Sequence, residues 1–299
     1  MTEDYNLYPL HVFRLVAQLG SVTRAAQELF ISQPAVSAHL KTVETKYGEA
    51  LFERTPRGMT LTPAGAALHE HVGRLFALYE GVTTAIADMR GEVRGEIVVA
   101  ASSTPGAYLV PGLLRDFQQR YPAAQPILRV GDSAEVLAWL HDYRVAIGVI
   151  GEMAITEDLE RVEIGSDKLQ LVVAADDALV RVRQIKLEHL QTRTLFLREP
   201  GSSTRAGSVE LLGEFLSSFA RTVELNSTEA IKQSVATGSG VAVLSSWTTR
   251  LEEAAGLLQP VKDTRFRLVR KFYLVKRKDR TLVGSAAAMW SCLTENKSR

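Results

Sequence analysis

Residues Gly20–Glu44, GSVTRAAQELFISQPAVSAHLKTVE, constrain the fold of this chain more than any other stretch. Val22, Ala25, Ala26 and Leu29 recur at i, i+3, i+4 and i+7, the apolar stripe of an amphipathic helix. Ser21 stands where an N-cap hydroxyl accepts from an otherwise orphan amide. Phe30, Ile31 and Ser32 make the connector, and a second helix begins with Pro34 in its first turn, where a missing N–H costs nothing. The buried stripe predicted for this helix is Val36, Leu40, Val43 and Tyr47. That leaves Pro34, Ser37, Ala38 and Lys41 on the outside, with Gln33 at the leading edge. A solvated helix face more often carries Glu/Lys pairs. This one is narrow, small and hydrogen-bonding, suited to the major groove of DNA. A preceding helix with Leu10, Phe13, Val16 and Ala17 inward completes a trihelical core.

Leu51–Arg54, the turn Thr55-Pro56-Arg57-Gly58 and Met59–Leu61 read as a β-hairpin with a basic tip. Beside a helix-turn-helix such a hairpin is a wing, and Arg54 and Arg57 would reach phosphates along the groove. The alternative is a pair of ordinary surface arginines on a turn. Charge alone does not point to DNA: 35 Lys and Arg face 34 Asp and Glu, a net of +1. Strong non-specific DNA binders are basic over a whole face. Here helix N-termini and a few placed cations must do the positioning. Modest affinity for one copy, and a need for several, follows.

Thr62 caps and Pro63 opens a helix able to run to about Arg90. Within it Leu68, Val72, Leu75, Tyr79, Val82, Ile86 and Met89 are spaced 4-3-4-3-4-3, the period of a coiled coil. Such a helix is roughly 40 Å long. The seam predicts a homodimer that presents two recognition helices to two half-sites. A single long helix packed on its own domain is the alternative.

The block Leu10–Gly65 resembles the DNA-binding domain of LysR-type transcriptional regulators, through GSVTRAAQEL, SQPAVSAHLKTVE and LFERTPRGMTLTPAG in register. The resemblance implies that Gln33, Pro34, Ser37 and Lys41 face the groove. Many members carry Arg where this chain has Ala38, and a basic residue where it has Thr42.

After the polar, glycine-bearing hinge Arg90–Gly95 the pattern becomes strand–helix alternation. Ile97–Ala101 is a continuous apolar run, as in a strand buried on both faces of a parallel sheet. Further predicted strands are Ile127–Val130, Val145–Ile150, Leu169–Ala175, Thr194–Leu197, Thr222–Leu225, Val241–Leu244 and Lys271–Lys276. Predicted helices are Tyr108–Tyr121, Ala134–His141, Thr204–Phe219, Glu229–Ala236 and Leu282–Leu293. This is α/β architecture, long enough for two small lobes with a crevice between them. The LysR resemblance extends through YLVPGLLRDFQQRYP and GSGVAVLS, implying a type-2 periplasmic-binding-protein-like effector domain. Its chain would cross between lobes near Val162–Asp167 and Thr264–Val269. The expected organisation is an α+β multidomain chain. Residues 1–62 form a winged helix-turn-helix and 63–90 a dimerisation helix. Residues 91–299 form the effector domain, with lobe 1 at about 94–163 and 268–294 and lobe 2 at about 167–264.

Ligand residues are expected where strands end and helices begin, because the N–H groups and dipole there attract anions. Ser102-Ser103-Thr104, Gly131-Asp132-Ser133, Gly201–Arg205 and Asn226-Ser227-Thr228 occupy such junctions. Each alone also looks like an ordinary N-cap; several facing one crevice point to an anionic effector. The resemblance maps Ser102, Ser103, Ser133, Ser202, Ser203 and Thr204 onto effector contacts. Thr104 and Ser227 join them by position. Arg205 is either a charged contact or a surface ion pair. Arg198–Arg205, REPGSSTR, is similar to the REPGSGTR loop of members that regulate carbon or sulfur assimilation, with Ser203 in place of the usual glycine. Many relatives place an aspartate where this chain has Ala146.

Other chemistry finds no support. A single cysteine, Cys292, rules out an intramolecular disulfide and any multi-cysteine metal site. His69 and His71, two apart on a helix, diverge. Gly238-Ser239-Gly240 precedes a strand and reads as a turn, not a nucleotide loop. No catalytic set, metal site or cofactor is expected. The N-terminus is polar and no apolar run reaches ~20 residues, so a cytoplasmic location is expected. The reading is a promoter-binding transcription regulator responding to a small anionic metabolite. It would act as a homodimer or a tetramer built as a dimer of dimers, with RNA polymerase as a further candidate partner. A solute-binding or enzymatic α/β protein with a helical dimerisation domain is the competing reading, and it leaves the helix-turn-helix unexplained.

Overall fold

A computed structural model describes residues 6–56, 58–88, 93–153 and 155–295, with 83–88 as backbone only. The chain divides into two units, 1–86 with 141–144, and 87–140 with 145–299.

In the first unit, helices α1 (Tyr8–Leu19), α2 (Val22–Glu28) and α3 (Gln33–Tyr47) surround one apolar core. Val12, Phe13, Val16, Ala25, Val36, Leu40 and Val43 fill it. Ser21 caps α2 as the sequence predicts, and Ser32, read there as part of the connector, caps α3. Ser21 Oγ accepts from Arg24 N and Ser32 Oγ accepts from Ala35 N. Tyr47 departs from the predicted stripe and is 46% exposed. It lies in the last helical turn, before Gly48 ends α3 in the left-handed region, where the core no longer reaches. Strands β1 (Phe52–Thr55) and β2 (Gly58–Leu61) pair antiparallel, with Thr55 opposite Gly58. The hairpin docks through its backbone, since Met59 N donates to Gly20 O at 2.9 Å.

Helix α4 (Pro63–Asp88) starts where expected: Thr62 Oγ1 accepts from Gly65 N and donates to Ala50 O. Its predicted seam needs correcting at the N-terminal end. Val72 is buried in the three-helix core and Leu68 packs against it, so neither is free for a partner. Leu75, Tyr79 and Val82 remain exposed, and Leu78 joins them. The Ile86 side chain, Met89 and the helix end expected near Arg90 lie outside the described residues.

The second unit is built on one sheet of nine strands. The labels continue as β3 (Gly95–Ser102), β4 (Ala124–Gly131), β5 (Ile147–Gly151), β6 (Leu159–Ala174), β7 (Thr194–Leu197), β8 (Arg221–Glu224), β9 (Val241–Ser245), β10 (Leu258–Pro260) and β11 (Arg267–Arg277). The order is β4-β3-β5-β11-β6-β9-β7-β8, with β10 paired to β6. β3, β4 and β5 are parallel, as are β7, β8 and β9. The antiparallel pair β6/β11 joins the two sets and gives two lobes. Lobe 1 carries α5 (Ser103–Tyr108), α6 (Val110–Arg120), α7 (Ser133–His141) and α11 (Gly284–Glu295). Lobe 2 carries α8 (Ser203–Leu212), α9 (Thr228–Ala236) and α10 (Ser246–Ala254). Alternate residues of β3 enter opposite cores: Val99 and Ala101 pack with Phe117 and Leu293, Ala100 with Val136 and Leu140. Burial on both faces explains why this strand reads as an unbroken apolar run.

Several elements differ from the predictions. β6 begins at Leu159, not Leu169, because its first half alternates buried and exposed residues and carries charges. The chain passes between lobes inside β6 and β11, which are hydrogen-bonded to each other from Leu159/Arg277 to Gln170/Arg267. The helix predicted from Tyr108 to Tyr121 runs from Val110 to Arg120 with Pro111 in its first turn, and a separate short helix, Ser103–Tyr108, precedes it unpredicted. α10 has no counterpart among the predicted helices. The helix predicted to reach Phe219 leaves α-geometry at Gly213 (φ 48) for a 3-10 turn.

Candidate functional site

The first site is the outer face of α3. Gln33, Pro34, Ser37, Ala38 and Lys41 are all exposed. Gln33, Pro34 and Ser37 line a 980 Å³ groove whose other wall is the hairpin, with Arg54 on it. Lys41 lies outside the groove lining, and Arg57 lies outside the described residues. The groove also takes Ser21, Thr23 and Arg24 from the start of α2. Sequence reasoning misses those three as contacts, because the stripe Val22, Ala25, Ala26, Leu29 already accounts for the helix. Two glycines shape the floor. Gly58 has φ 121, and a Cβ there would lie 2.4 Å from Gly20 O. Small neutral side chains of α3 line one side of this groove, and the cations Arg24 and Arg54 line it as well.

The second site lies in the second unit, where the strands of both lobes end. Ser102 closes β3, Ser133 opens α7, and Ser202 caps α8 by accepting from Thr204 N at 3.2 Å. Seven predicted residues (Ser102, Ser103, Thr104, Ser133, Ser202, Ser203 and Thr204) line one narrow seam together with Arg198. The lobes touch across it. Ala134 N donates to Gly201 O at 3.1 Å, and a Cβ on Gly201 would lie 2.4 Å from Asp132 Oδ2. The free space is 10 Å³, about one water. Asp132 and Glu135 exchange hydrogen bonds of 2.8 Å at the start of α7, so Asp132 and not Ser133 serves as the cap. Ser133 Oγ is left 1% exposed with no hydrogen-bond partner among the described residues. A buried hydroxyl in that state costs roughly 1–3 kcal/mol until something fills its valence.

Ser227 lies elsewhere, in an adjoining 310 Å³ cleft, where its Oγ accepts from Ala230 N and caps α9. Arg205 is corrected. Its Nη1 donates to Glu224 Oε2 at 2.6 Å and to Arg198 O at 2.7 Å, and it lines neither cavity. Its helical phase on α8 turns it toward β8.

Three cations absent from the predicted site sit at or beside it. Arg198, 5% exposed, donates to Ser103 of lobe 1 (3.1 Å) and Thr228 of lobe 2 (2.7 Å). Lys232 of α9, 7% exposed, lines the wider cleft. Arg270 donates to Thr204 Oγ1 (2.9 Å), Ser203 Oγ (3.3 Å) and Asp167 Oδ2 (2.7 Å). Burial pushes the Arg270 guanidinium below its usual range, and Asp167 opposes that shift. No sequence signal separates Arg270 from the other four cations of β11, Arg267, Lys271, Lys276 and Arg277. Arg198 is visible only as part of its loop. Among the described residues no cluster of three His, Cys, Asp or Glu side chains is placed to hold a metal, and no helix is long and apolar enough to cross a membrane.

Both parts of the chain resemble known proteins. Residues 7–66 match the bacterial regulatory helix-turn-helix protein, lysR family, and residues 90–298 match the LysR substrate binding domain. The chain is 31% identical over 280 residues to the HTH-type transcriptional activator CmpR of Synechocystis sp., covering 94% of this chain and 92% of that one. It is 32% identical over 284 residues to the HTH-type transcriptional regulator CbbR of Rhodospirillum rubrum, covering 95% and 94%. Among solved structures, a full-length OxyR variant of Pseudomonas aeruginosa superposes with a TM-score of 0.70 at 21% identity, covering 99% of this chain and 95% of that one. The CcmR regulatory domain of Synechocystis PCC6803 in complex with 2-PG gives 0.63 at 24% identity, covering 69% and 99%.

Proposed function

Since this chain belongs to the LysR family of transcriptional regulators, we propose that it controls genes of carbon assimilation and does so in response to a small anionic metabolite bound between the lobes of its second unit. Relatives named as RuBisCO operon transcriptional regulators, of Allochromatium vinosum and Acidithiobacillus ferrooxidans, support the first part, and the 2-PG held by CcmR supports the second. The observation that carries the reading is that hydroxyls and helix N-termini of both lobes converge beside the buried Arg198. A ligand acts here only by binding open and closed lobes with different affinity. The Ala134–Gly201 and Arg198–Ser103 hydrogen bonds are the contacts that lobe opening breaks.

DNA is read by two or more copies. The exposed stripe Leu75, Leu78, Tyr79 and Val82 on α4 supplies the homodimer contact, and the tetramer is a dimer of such dimers. Gln33, Pro34, Ser37 and Lys41 enter the major groove, and Arg54 and Arg57 reach the backbone. RNA polymerase is the partner at the promoter, and the site of action is the cytoplasm.

Footprinting with a thermal-shift panel of metabolites tests this reading. Protection of two or more half-sites, with an anion that raises the melting temperature, supports it. Binding without sequence preference at moderate salt overturns it. Ser102→Ala or Ser202→Ala weakens the response to the anion and leaves operator binding intact. Ser37→Ala or Lys41→Ala does the reverse.

A further inference from the structure

The seam has room for about one water, too little for a phosphoryl or carboxylate group, whereas the adjoining cleft measures 310 Å³ and shares Ser103, Thr104 and Arg198 with it. The Arg198 guanidinium is divided between the two sides of its fork. Glu199, which lines neither cavity, takes Nε at 2.8 Å and one Nη2 hydrogen at 2.5 Å. That grip turns the Nη end into the cleft, between Ser103 of lobe 1 and Thr228 of lobe 2. Of the five N–H groups, one on Nη1 has no acceptor among the described residues. Lys232 stands in the same cleft, its Nζ 2.6 Å from the half-buried Glu252 and 2.8 Å from Glu229, whose side chain is 62% exposed. One counter-ion of Lys232 is therefore fixed, and the other is a solvent-facing carboxylate that an incoming anion can replace.

We propose that this cleft, and not the seam, receives the oxyanion of the effector, with Arg198 and Lys232 as its cationic ligands and Glu229 as the carboxylate it displaces. The proposal rests on the anionic-effector reading and gives the anion a place. Because Arg198 also ties Ser103 to Thr228, an anion on its Nη end engages both lobes at once. Glu199 is a positioning residue that holds the fork.

Titration calorimetry of inorganic phosphate and of malonate into the full-length protein tests it. Arg198→Gln and Lys232→Gln each weaken binding by about 10-fold or more, the loss of one charge-assisted hydrogen bond. Glu229→Gln tightens binding several-fold, a gain that misfolding cannot produce. Arg115→Gln, an exposed residue of α6 outside the cleft, binds as the wild type does. Glu199→Ala weakens binding, and Glu199→Gln, which keeps one acceptor for the fork, restores part of it. Unchanged affinity in both Arg198→Gln and Lys232→Gln overturns the proposal. A loss confined to Ser133→Ala puts the anion in the seam, overturning this site while sparing an anionic effector. Absence of binding by either anion to the wild type overturns the anionic-effector reading beneath it.

Discussion

Asp167 on β6 and Arg270 on β11 are cross-strand register partners, and their side chains meet at 2.7 Å with 0% and 3% exposure. They sit where the sheet passes from one lobe to the other, and Arg270 extends on to Thr204 and Ser203 at the head of α8. A buried pair of this kind adds little net stability, because desolvation offsets the attraction, but removing one member strands the other's charge. Asp167→Asn should therefore destabilise the second unit by about 3–5 kcal/mol. Adding Arg270→Met should recover most of that loss, since no buried charge remains. Urea midpoints of the three proteins check this. A double variant as unstable as Asp167→Asn alone shows that the pair is held for another reason.

The wing depends on a backbone approach that no side chain tolerates. Gly58 combines φ 121 with a position 2.4 Å, measured to an added Cβ, from Gly20 O. Gly58→Ala must both strain the backbone and push the hairpin away from α1. A cost of roughly 1–3 kcal/mol is expected, together with weaker operator binding as Arg54 moves off the groove. Operator affinity and the melting temperature, measured together, check it. Wild-type operator affinity in this variant means the groove wall plays no part in DNA binding.

The trihelical core is legible in the sequence because Phe13, Val16, Ala25, Val36 and Leu40 repeat with a helical period and meet locally. The junction hydroxyls of the seam are legible because strand ends and helix starts mark themselves in sequence. The cations are not, because their meaning comes from distant partners: Arg198 meets Ser103 across 95 residues and Arg270 meets Asp167 across 103. Leu159–Lys168 escapes for a different reason. Arg161, Glu163 and Lys168 sit on its exposed positions and Asp167 is buried against Arg270, so it lacks the apolar run that marks the central strands. Leu68 and Val72 keep heptad spacing while packing inward, because a helix leaving a domain shows one stripe to its own core and then to a partner.

Acid should weaken lobe 2 through Asp263. Its carboxylate, 4% exposed, accepts from Arg265 Nη2 (2.7 Å) and from the amides of Ile185 (2.8 Å) and Arg265 (3.1 Å). The hydrogen bonds from the Arg265 side chain lead in lowering its pKa to about 2, against the opposing effect of burial. A carboxylate depressed on folding gives stability that is present above its unfolded pKa of about 4 and lost as pH falls through the folded value. The stability gap between wild type and Asp263→Asn should be steady at neutral pH, at about 1–2 kcal/mol from the ionised form, and should close between about pH 4 and 2. Urea titrations along that range check it. A gap that persists below about pH 2 means the carboxylate's charge is not what stabilises the loop.

The exposed stripe on α4 makes the oligomer testable without touching either site. Leu75, Leu78, Tyr79 and Val82 are 37%, 59%, 63% and 59% exposed and share one helical face. Leu78→Glu with Val82→Glu leaves the chain's own core intact, because the residues that α4 gives to that core, Ala64, Leu68, Val72 and Phe76, include neither. Each substitution removes about 1.5–3 kcal/mol of apolar burial from a dimer and adds a charge to it. Self-association should therefore weaken at least ~100-fold with the melting profile of the chain retained. Sedimentation velocity should show monomer where the wild type is a dimer or larger, and footprints should shrink from paired half-sites to weak single ones. If the double variant sediments as the wild type does, the copies pair through another surface, and the spacing of recognition helices is set there instead.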